Sequence, residues 1–295
     1  MKCKLCGSEE IQVIYNGLIR DGGLGKYTKE PINMWRCENC GIIWHDLIIG
    51  DIKQYYESTQ YRNSLEGSSA TETFYKLHDK ETLDKFQYTG TDIFRQKVVA
   101  DIGCGCGAFL DFLKGVAKTI VAIEPSETYR IIMREKGFRT YAYAEEAKKD
   151  WKADVNVITS FDVIEHVENP KKFMYDIYDL LSVDGKGIIG TPTDAPIMRC
   201  LLGQIYEQRQ LFSTQHLWIF SKNNLKMLAE EVGFKKVEFK YFQRYGISNL
   251  LGWLKEKEPC SDISSMHITD TLDNVWKSEC SAHETADYLV AYLYK

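Results

Sequence analysis

The run from Lys97 to Lys114 constrains this chain more than any other stretch. Lys97-Val98-Val99-Ala100-Asp101-Ile102 reads as a short buried strand, and Gly103-Cys104-Gly105-Cys106-Gly107 as a glycine-dense turn. Ala108-Phe109-Leu110-Asp111-Phe112-Leu113-Lys114 then opens a helix with apolar residues on one side. Alternating glycines let a backbone take positive φ and approach a ligand without Cβ clashes. The helix start offers free N–H groups. Open α/β sheets bind ligands at the carboxyl ends of their strands. The segment is thus expected to hold a small polar ligand at such an edge. Two commoner glycine motifs do not fit. The third glycine follows the second by two residues rather than three, and no Gly-Lys-Ser/Thr appears.

Strand and helix alternate from here. Thr119–Ile123 is a second apolar run, and it ends on Glu124. An acid in that place suits the two hydroxyls of a ribose. Ser126 is expected to cap the next helix and Gly137 to end it. Phe138–Tyr143 and Asp154–Thr159 read as the third and fourth strands. The fourth runs into Phe161-Asp162-Val163-Ile164-Glu165-His166. A helix begins near Pro170, Asp184-Gly185 marks a turn, and Gly187–Pro192 is the fifth strand. Lys236–Tyr241 and Ala286–Tyr294 supply the sixth and seventh. The alternation predicts right-handed crossovers and an α/β parallel sheet.

The amino-terminal segment carries a different signal. Cys3-x-x-Cys6-Gly7 and Cys37-x-x-Cys40-Gly41 are two knuckles of the kind that supply four soft ligands to tetrahedral zinc. Four thiolates leave no position for water or substrate, so the metal is expected to be structural. His45 is a candidate replacement ligand or a rim residue. A thioredoxin-like redox pair is excluded by the absence of a βαβ context. Nine cysteines placed this way argue for a reducing compartment, the cytoplasm, rather than a disulfide framework. No apolar run approaches a membrane span, and Met1–Cys6 lacks the core of a secretory signal. A net charge of −5 gives no global attraction for nucleic acid.

Three divisions follow: residues 1–50 as a zinc ribbon, 51–90 as a connector, and 91–295 as the main domain with inserts at 194–220 and 243–285. Inserts of that length are usually lids or binding loops. The connector holds an expected helix from Thr73 to Phe86, with Phe74, Leu77, Leu83 and Phe86 as its buried face. That helix either covers the ligand site or is a solvated linker. In the first case Tyr56, Tyr61, Arg62 and His78 line the site. The second insert adds Arg244, Tyr245, Asn249, Trp253 and His267.

The Asp-x-Gly-x-Gly-x-Gly turn, Glu124, the Phe161–Pro170 stretch, Thr191-Pro192 and His216–Ser221 together resemble class I S-adenosylmethionine (SAM)-dependent methyltransferases. The likeness covers roughly Thr73 to Lys295 and is strongest to ubiquinone-biosynthesis-type O-methyltransferases and sugar methyltransferases. The four-cysteine module is similar to the one that precedes the catalytic domain of deoxysugar C-methyltransferases. The sequence departs from them in ending soon after the expected seventh strand, where those enzymes continue into a further domain. The resemblance implies a Rossmann-like seven-strand sheet with the last strand antiparallel. It assigns Asp101, Gly103, Gly105 and Gly107 to the first motif, Glu124 to the ribose, and the adenine to the neighbourhood of Ala144 and Glu145. Phe161 and Asp162 fall near the methionine part.

Methyl transfer to a hydroxyl needs alignment with the sulfonium and removal of a proton. Histidine is the natural base near neutral pH. His166 is the first candidate, with Glu165 orienting its ring; alternatively His166 only bonds backbone at a helix start. His216 is second and His78 third. The expected acceptor is a small molecule, a sugar, nucleotide-sugar or glycan precursor, methylated at oxygen, nitrogen or carbon. The rival readings are an RNA or protein methyltransferase that docks through the zinc ribbon, and a non-catalytic cofactor-binding scaffold.

Overall fold

A computed structural model describes residues 1–47, 50–259 and 268–295. Eleven strands run through these: β1 (Ile11–Gly17), β2 (Ile32–Cys37), β3 (Ile43–His45), β4 (Val98–Ile102), β5 (Thr119–Ile123), β6 (Arg139–Tyr141), β7 (Val155–Phe161), β8 (Leu181–Pro192), β9 (Trp218–Ile219), β10 (Lys236–Phe242) and β11 (Tyr288–Tyr294). Seven form one sheet in the order β10-β11-β8-β7-β4-β5-β6. Strands β4 to β8 pair in parallel, and the last strands run antiparallel. This is the expected Rossmann-like methyltransferase sheet.

The strand order places the site. From β4 the chain winds outward through β5 and β6, then returns to lay β7 on the other side of β4. The reversal opens a crevice beyond the carboxyl ends of β4 and β7, where such sheets take ligands. Every residue of β4 is buried, which suits a central parallel strand covered on both faces. Two expectations shift here. Strand β8 begins at Leu181 rather than Gly187, and Asp184 bends it with φ +60°.

The chain divides into two compact units. One comprises Met1–Ile48, Thr191–Leu225 and Phe239–Val290; the other comprises Ile49–Gly190, Lys226–Glu238 and Ala291–Lys295. In the first, β1, β2, β3 and β9 form an antiparallel sheet. Ile19, Met34 and Ile43 there share one apolar core with Met198, Phe212, Leu250 and Trp253. The amino-terminal ribbon and both inserts therefore bury their apolar faces together. The first insert lacks a clean period because Pro196 starts a helix (Pro196–Leu202) that Gly203 ends at once. The second insert folds as helices Ile247–Glu256 and Asp270–Ala282. His267 lies outside the described residues.

In the second unit, short helices α1 (Ile52–Glu57) and α2 (Gln60–Glu66) precede the long α3 (Thr71–Thr89). The expected buried face of α3 is half corrected. Phe74 is buried, but Leu77 is 46% and Leu83 68% exposed. Thr82, Tyr88 and Thr89 are buried in their place, so the packed stripe contains hydroxyls that an apolar count overlooks. Four further helices are α4 (Ala108–Leu113), α5 (Glu127–Glu135), α6 (Ala144–Trp151) and α7 (Pro170–Leu180). Helix α7 starts as expected: Pro170 takes the first turn, and the Asn169 side chain accepts the Lys172 N–H at 2.9 Å.

Candidate active site and four-cysteine centre

A cavity of about 520 Å³ opens in the second unit at the ends of β4, β5 and β7. Gly103 lines it, and Gly105 belongs to the same turn. Gly103 has φ +79°, and a Cβ there would stand 2.3 Å from Val163 Cγ2. Gly105 has φ +56°, and a Cβ there would stand 2.4 Å from the Phe74 ring. Real Cβ atoms do not approach that closely, so these two positions exclude side chains. Helix α3 lies against the turn, with the Tyr75 hydroxyl donating to the Cys106 carbonyl at 2.8 Å.

Glu124 is fixed in the wall of this cavity. Its Oε2 accepts the Gly105 N–H and its Oε1 the Ser126 N–H, both at 2.9 Å. Burial pushes its carboxyl up, while the Ser126 N–H, Arg62 and the Gly105 N–H pull it back. Arg130 holds the same turn by donating to the Glu124 carbonyl at 2.6 Å. The result is an acceptor group pre-aimed by backbone rather than by flexible neighbours.

The opposite wall comes from the helical flap of α1 and α2, which contributes Ile52, Lys53, Tyr56, Tyr61 and Arg62. Tyr56 and His166 meet through the Tyr56 hydroxyl and His166 Nδ1, 3.1 Å apart. Arg62 lies over the Tyr61 and Phe74 rings, 5.1 Å from each centroid, and pairs with Glu66. His78 Nε2 meets Glu66 at 2.9 Å and Nδ1 meets Glu81 at 2.6 Å. Burial lowers the His78 pKa, but the two carboxylates outweigh it and hold the ring above its ordinary value. His78 therefore braces the flap and is not among the cavity's lining residues.

The remaining candidates differ in what they touch. Gly103, Glu124, Glu145, Asp162 and His166 line the cavity. Asp162 does so with φ +56°, a strained conformation for a non-glycine residue and one that clusters at functional sites. Asp101 is 2% exposed and accepts the Thr159 hydroxyl at 2.6 Å, so it supports the strand ends from below. Gly107 begins α4. Phe161 packs on Tyr88 and Phe109 in the core. Glu165 is buried, with Oε1 3.9 Å from His166 Nε2, too long for a hydrogen bond. His216 belongs to the other unit, where its N–H donates to the Ser213 carbonyl at 3.2 Å. The sequence reading missed Tyr129. Its hydroxyl is buried with no partner among the described residues, and the residue lines the cavity. Its position one turn into the helix after Glu124 was the available signal.

A family model described as a methyltransferase domain matches residues 74–238, more than half of the chain. The chain belongs to that methyltransferase family. A ubiquinone biosynthesis O-methyltransferase of Glaesserella parasuis is 23% identical over 61% of this chain and 72% of its own length. The mitochondrial one of Schizosaccharomyces pombe is 22% identical over 39% of this chain, and the match spans 45% of that protein. A SAM-dependent methyltransferase of Archaeoglobus fulgidus shares the fold with a TM-score of 0.51 and 17% identity, covering 80% of this chain and 98% of that one. Family and fold together make this methyltransferase SAM-dependent.

The residues present fit that methyl donor. Gly103 and Glu124 both line the cavity, and a carboxylate is an acceptor of the kind that ligand hydroxyls bind. The partnerless Tyr129 hydroxyl in the wall is a buried polar group that a polar occupant would satisfy.

In the methyltransferase's other unit, Cys3, Cys6, Cys37 and Cys40 bring their sulfurs within 4.8 Å of one another. Cys3 and Cys40 are 3.7 Å apart, and Cys6 and Cys37 3.6 Å. A disulfide needs about 2 Å. Four thiolates about 2.3 Å from a tetrahedral zinc would stand about 3.8 Å apart. The Leu5 and Cys6 N–H groups point at Cys3 Sγ, as a metal-bound thiolate requires. Burial raises the Cys6 thiol, but the Ser8 N–H and the Asn39 amide outweigh it and bring it to about 7. The spacing and donor set therefore fit zinc. His45 is not a ligand: Nε2 meets the Ser213 carbonyl at 3.2 Å, and Nδ1 accepts the Leu47 N–H at 3.2 Å.

Among the described residues no helix is long and apolar enough to cross a membrane.

Proposed function

We propose that this methyltransferase moves the methyl group of SAM to a hydroxyl of a small molecule. Glu124 takes the ribose hydroxyls, the Ala142–Glu145 wall faces the adenine, and Gly103 and Asp162 border the methionine end. SAM supplies the electrophilic methyl when bound. The chain's own residues exclude water, align the acceptor and remove its proton, with His166 as the base nearest the cavity.

One observation carries this reading: a carboxylate clamped by two backbone N–H groups and a histidine bonded to a tyrosine line a single cavity. We favour a sugar or nucleotide-linked sugar as acceptor, because tyrosines, Lys53, Asn169 and Lys172 give the cavity aromatic faces and hydrogen-bonding groups suited to a polyol. A phenolic acceptor is the second reading, favoured by the names of the two O-methyltransferase relatives. Docking on RNA is the weaker reading, because three of the ribbon's basic residues face acids: Lys2 with Glu9, Lys4 with Asp46 and Arg36 with Glu38. A structural zinc on the four cysteines and a reducing, cytoplasmic setting complete the proposal. All eight described cysteines are free thiols.

The test is radiolabelled SAM incubated with nucleotide sugars, free sugars, catechols and tRNA. Label entering one of the small-molecule classes supports the reading. Label entering tRNA alone overturns it.

A further inference from the structure

The group that touches the acceptor need not be the one that ends up holding its proton. His166 Nδ1 is 3.1 Å from the Tyr56 hydroxyl, and both residues line the cavity. The other ring nitrogen, Nε2, faces the buried Glu165 carboxylate at 3.9 Å. A negative charge on that side favours the proton on Nε2. Nδ1 is then a lone pair and accepts from the Tyr56 O–H. In this tautomer His166 meets the cavity through the phenol. The Tyr55 and Tyr61 rings pack on Tyr56, with centroids 5.2 and 4.8 Å from that of Tyr56.

We propose that His166 and Tyr56 form a proton relay whose terminal catalytic group is Tyr56, with the Glu165 carboxylate as a nearby charge. The inference rests on the methyltransferase reading and goes beyond it, because it moves the contact with the acceptor from the histidine to the flap tyrosine. The acceptor oxygen forms its bond to the methyl carbon as the carbon–sulfur bond of the sulfonium breaks, with the electron pair leaving on sulfur. The acceptor's proton passes to the Tyr56 oxygen while the Tyr56 proton passes to His166 Nδ1. The sulfonium charge reappears as an imidazolium, which the Glu165 carboxylate stabilises. This resembles the histidine–hydroxyl part of an acid–histidine–hydroxyl triad, with a phenol in place of the nucleophile. Burial keeps the Tyr56 phenol well above its ordinary pKa, so it is protonated at rest and acts only by exchanging one proton for another. Tyr56 belongs to α1, so the relay is complete only when the flap lies against the cavity.

The experiment uses the full zinc-loaded chain with 15N-labelled histidine, bound to S-adenosylhomocysteine, with His166→Asn providing the assignment. The expected result is the Nε2–H tautomer at His166, with an Nδ1 resonance shifted by an accepted hydrogen bond. Tyr56→Phe should abolish that shift. In the labelled-SAM assay it should lower turnover about 100-fold, within the range of a positioned acid–base group. The KM for SAM and the affinity for S-adenosylhomocysteine should stay within about twofold of wild type. An Nδ1–H tautomer, an unchanged resonance in Tyr56→Phe, or wild-type turnover by that variant would overturn the relay. Calorimetry separates this failure from the larger one: a chain that binds no S-adenosylhomocysteine refutes the methyltransferase reading itself.

Discussion

The four-cysteine ribbon and the glycine turn are built by opposite devices. The ribbon converges four side chains on one point and uses glycines only to turn the chain behind them. The turn dispenses with side chains at Gly103, Gly105 and Gly107 and buries those of Cys104 and Cys106, leaving N–H groups beside a carboxylate. The difference teaches where each is vulnerable. A site made of side chains fails when a ligand atom is lost. A site made of backbone fails when an atom is added.

The largest expected effect tests the first half of that contrast. Chelation, or Cys37→Ser, should remove zinc and unfold the ribbon, since structural zinc sites can supply on the order of 10 kcal/mol. Metal analysis and the fluorescence of Trp35 and Trp44 report it; a ribbon indifferent to chelation would mean that packing alone holds the four thiols. The second half is broken by addition. Gly103→Val places methyls where Val163 already sits and demands a positive φ that β-branched residues avoid. Affinity for S-adenosylhomocysteine should fall at least about 100-fold while the far-ultraviolet dichroism stays put. A smaller loss would show that the turn can yield.

Next in size is His166→Asn. Turnover should drop about 100-fold or more with little change in affinity for the methyl donor. Equal losses in both would make His166 a binding residue. The ribbon side carries a gentler, pH-dependent effect. Burial lowers the His45 pKa from 6.5 to about 4, so the folded chain keeps it neutral. The unfolded chain binds more protons between those values, and stability therefore falls as pH drops through that window. The loss is about 3 kcal/mol at most. Thermal melts from pH 7 to pH 4 should show it, and His45→Gln should flatten the slope. The smallest effect is at Leu83. Being 68% exposed, Leu83→Ser should change stability by no more than about 0.5 kcal/mol.

Leu83 also marks where the sequence stops being readable. The glycine turn, Glu124 and the cysteine pairs were legible because each is a local pattern with a local cause: positive φ, a strand end, a knuckle. Strand alternation was legible for the same reason. The buried face of α3 was not, because its partners lie across the fold and accept Thr82 and Thr89 where an apolar count wants leucine. Of the candidate residues, those within a few positions of β4, β5 and β7 ends divide by side-chain direction. Asp162 lines the cavity, while neighbouring Phe161 turns into the core. Strand alternation predicts such a division, but only the folded register says which residue takes which side. Tyr129 and the pairing of Tyr56 with His166 involve loop and helix geometry that no spacing encodes.

The claim beneath all of this is that the glycine turn and Glu124 grip the adenosyl donor. Calorimetry of the zinc-loaded chain with S-adenosylhomocysteine tests it most directly, with Glu124→Ala alongside. The account predicts one-to-one binding by the wild type and a loss of at least tenfold in affinity for the variant. No heat from the wild type, or equal affinity in the variant, would contradict it.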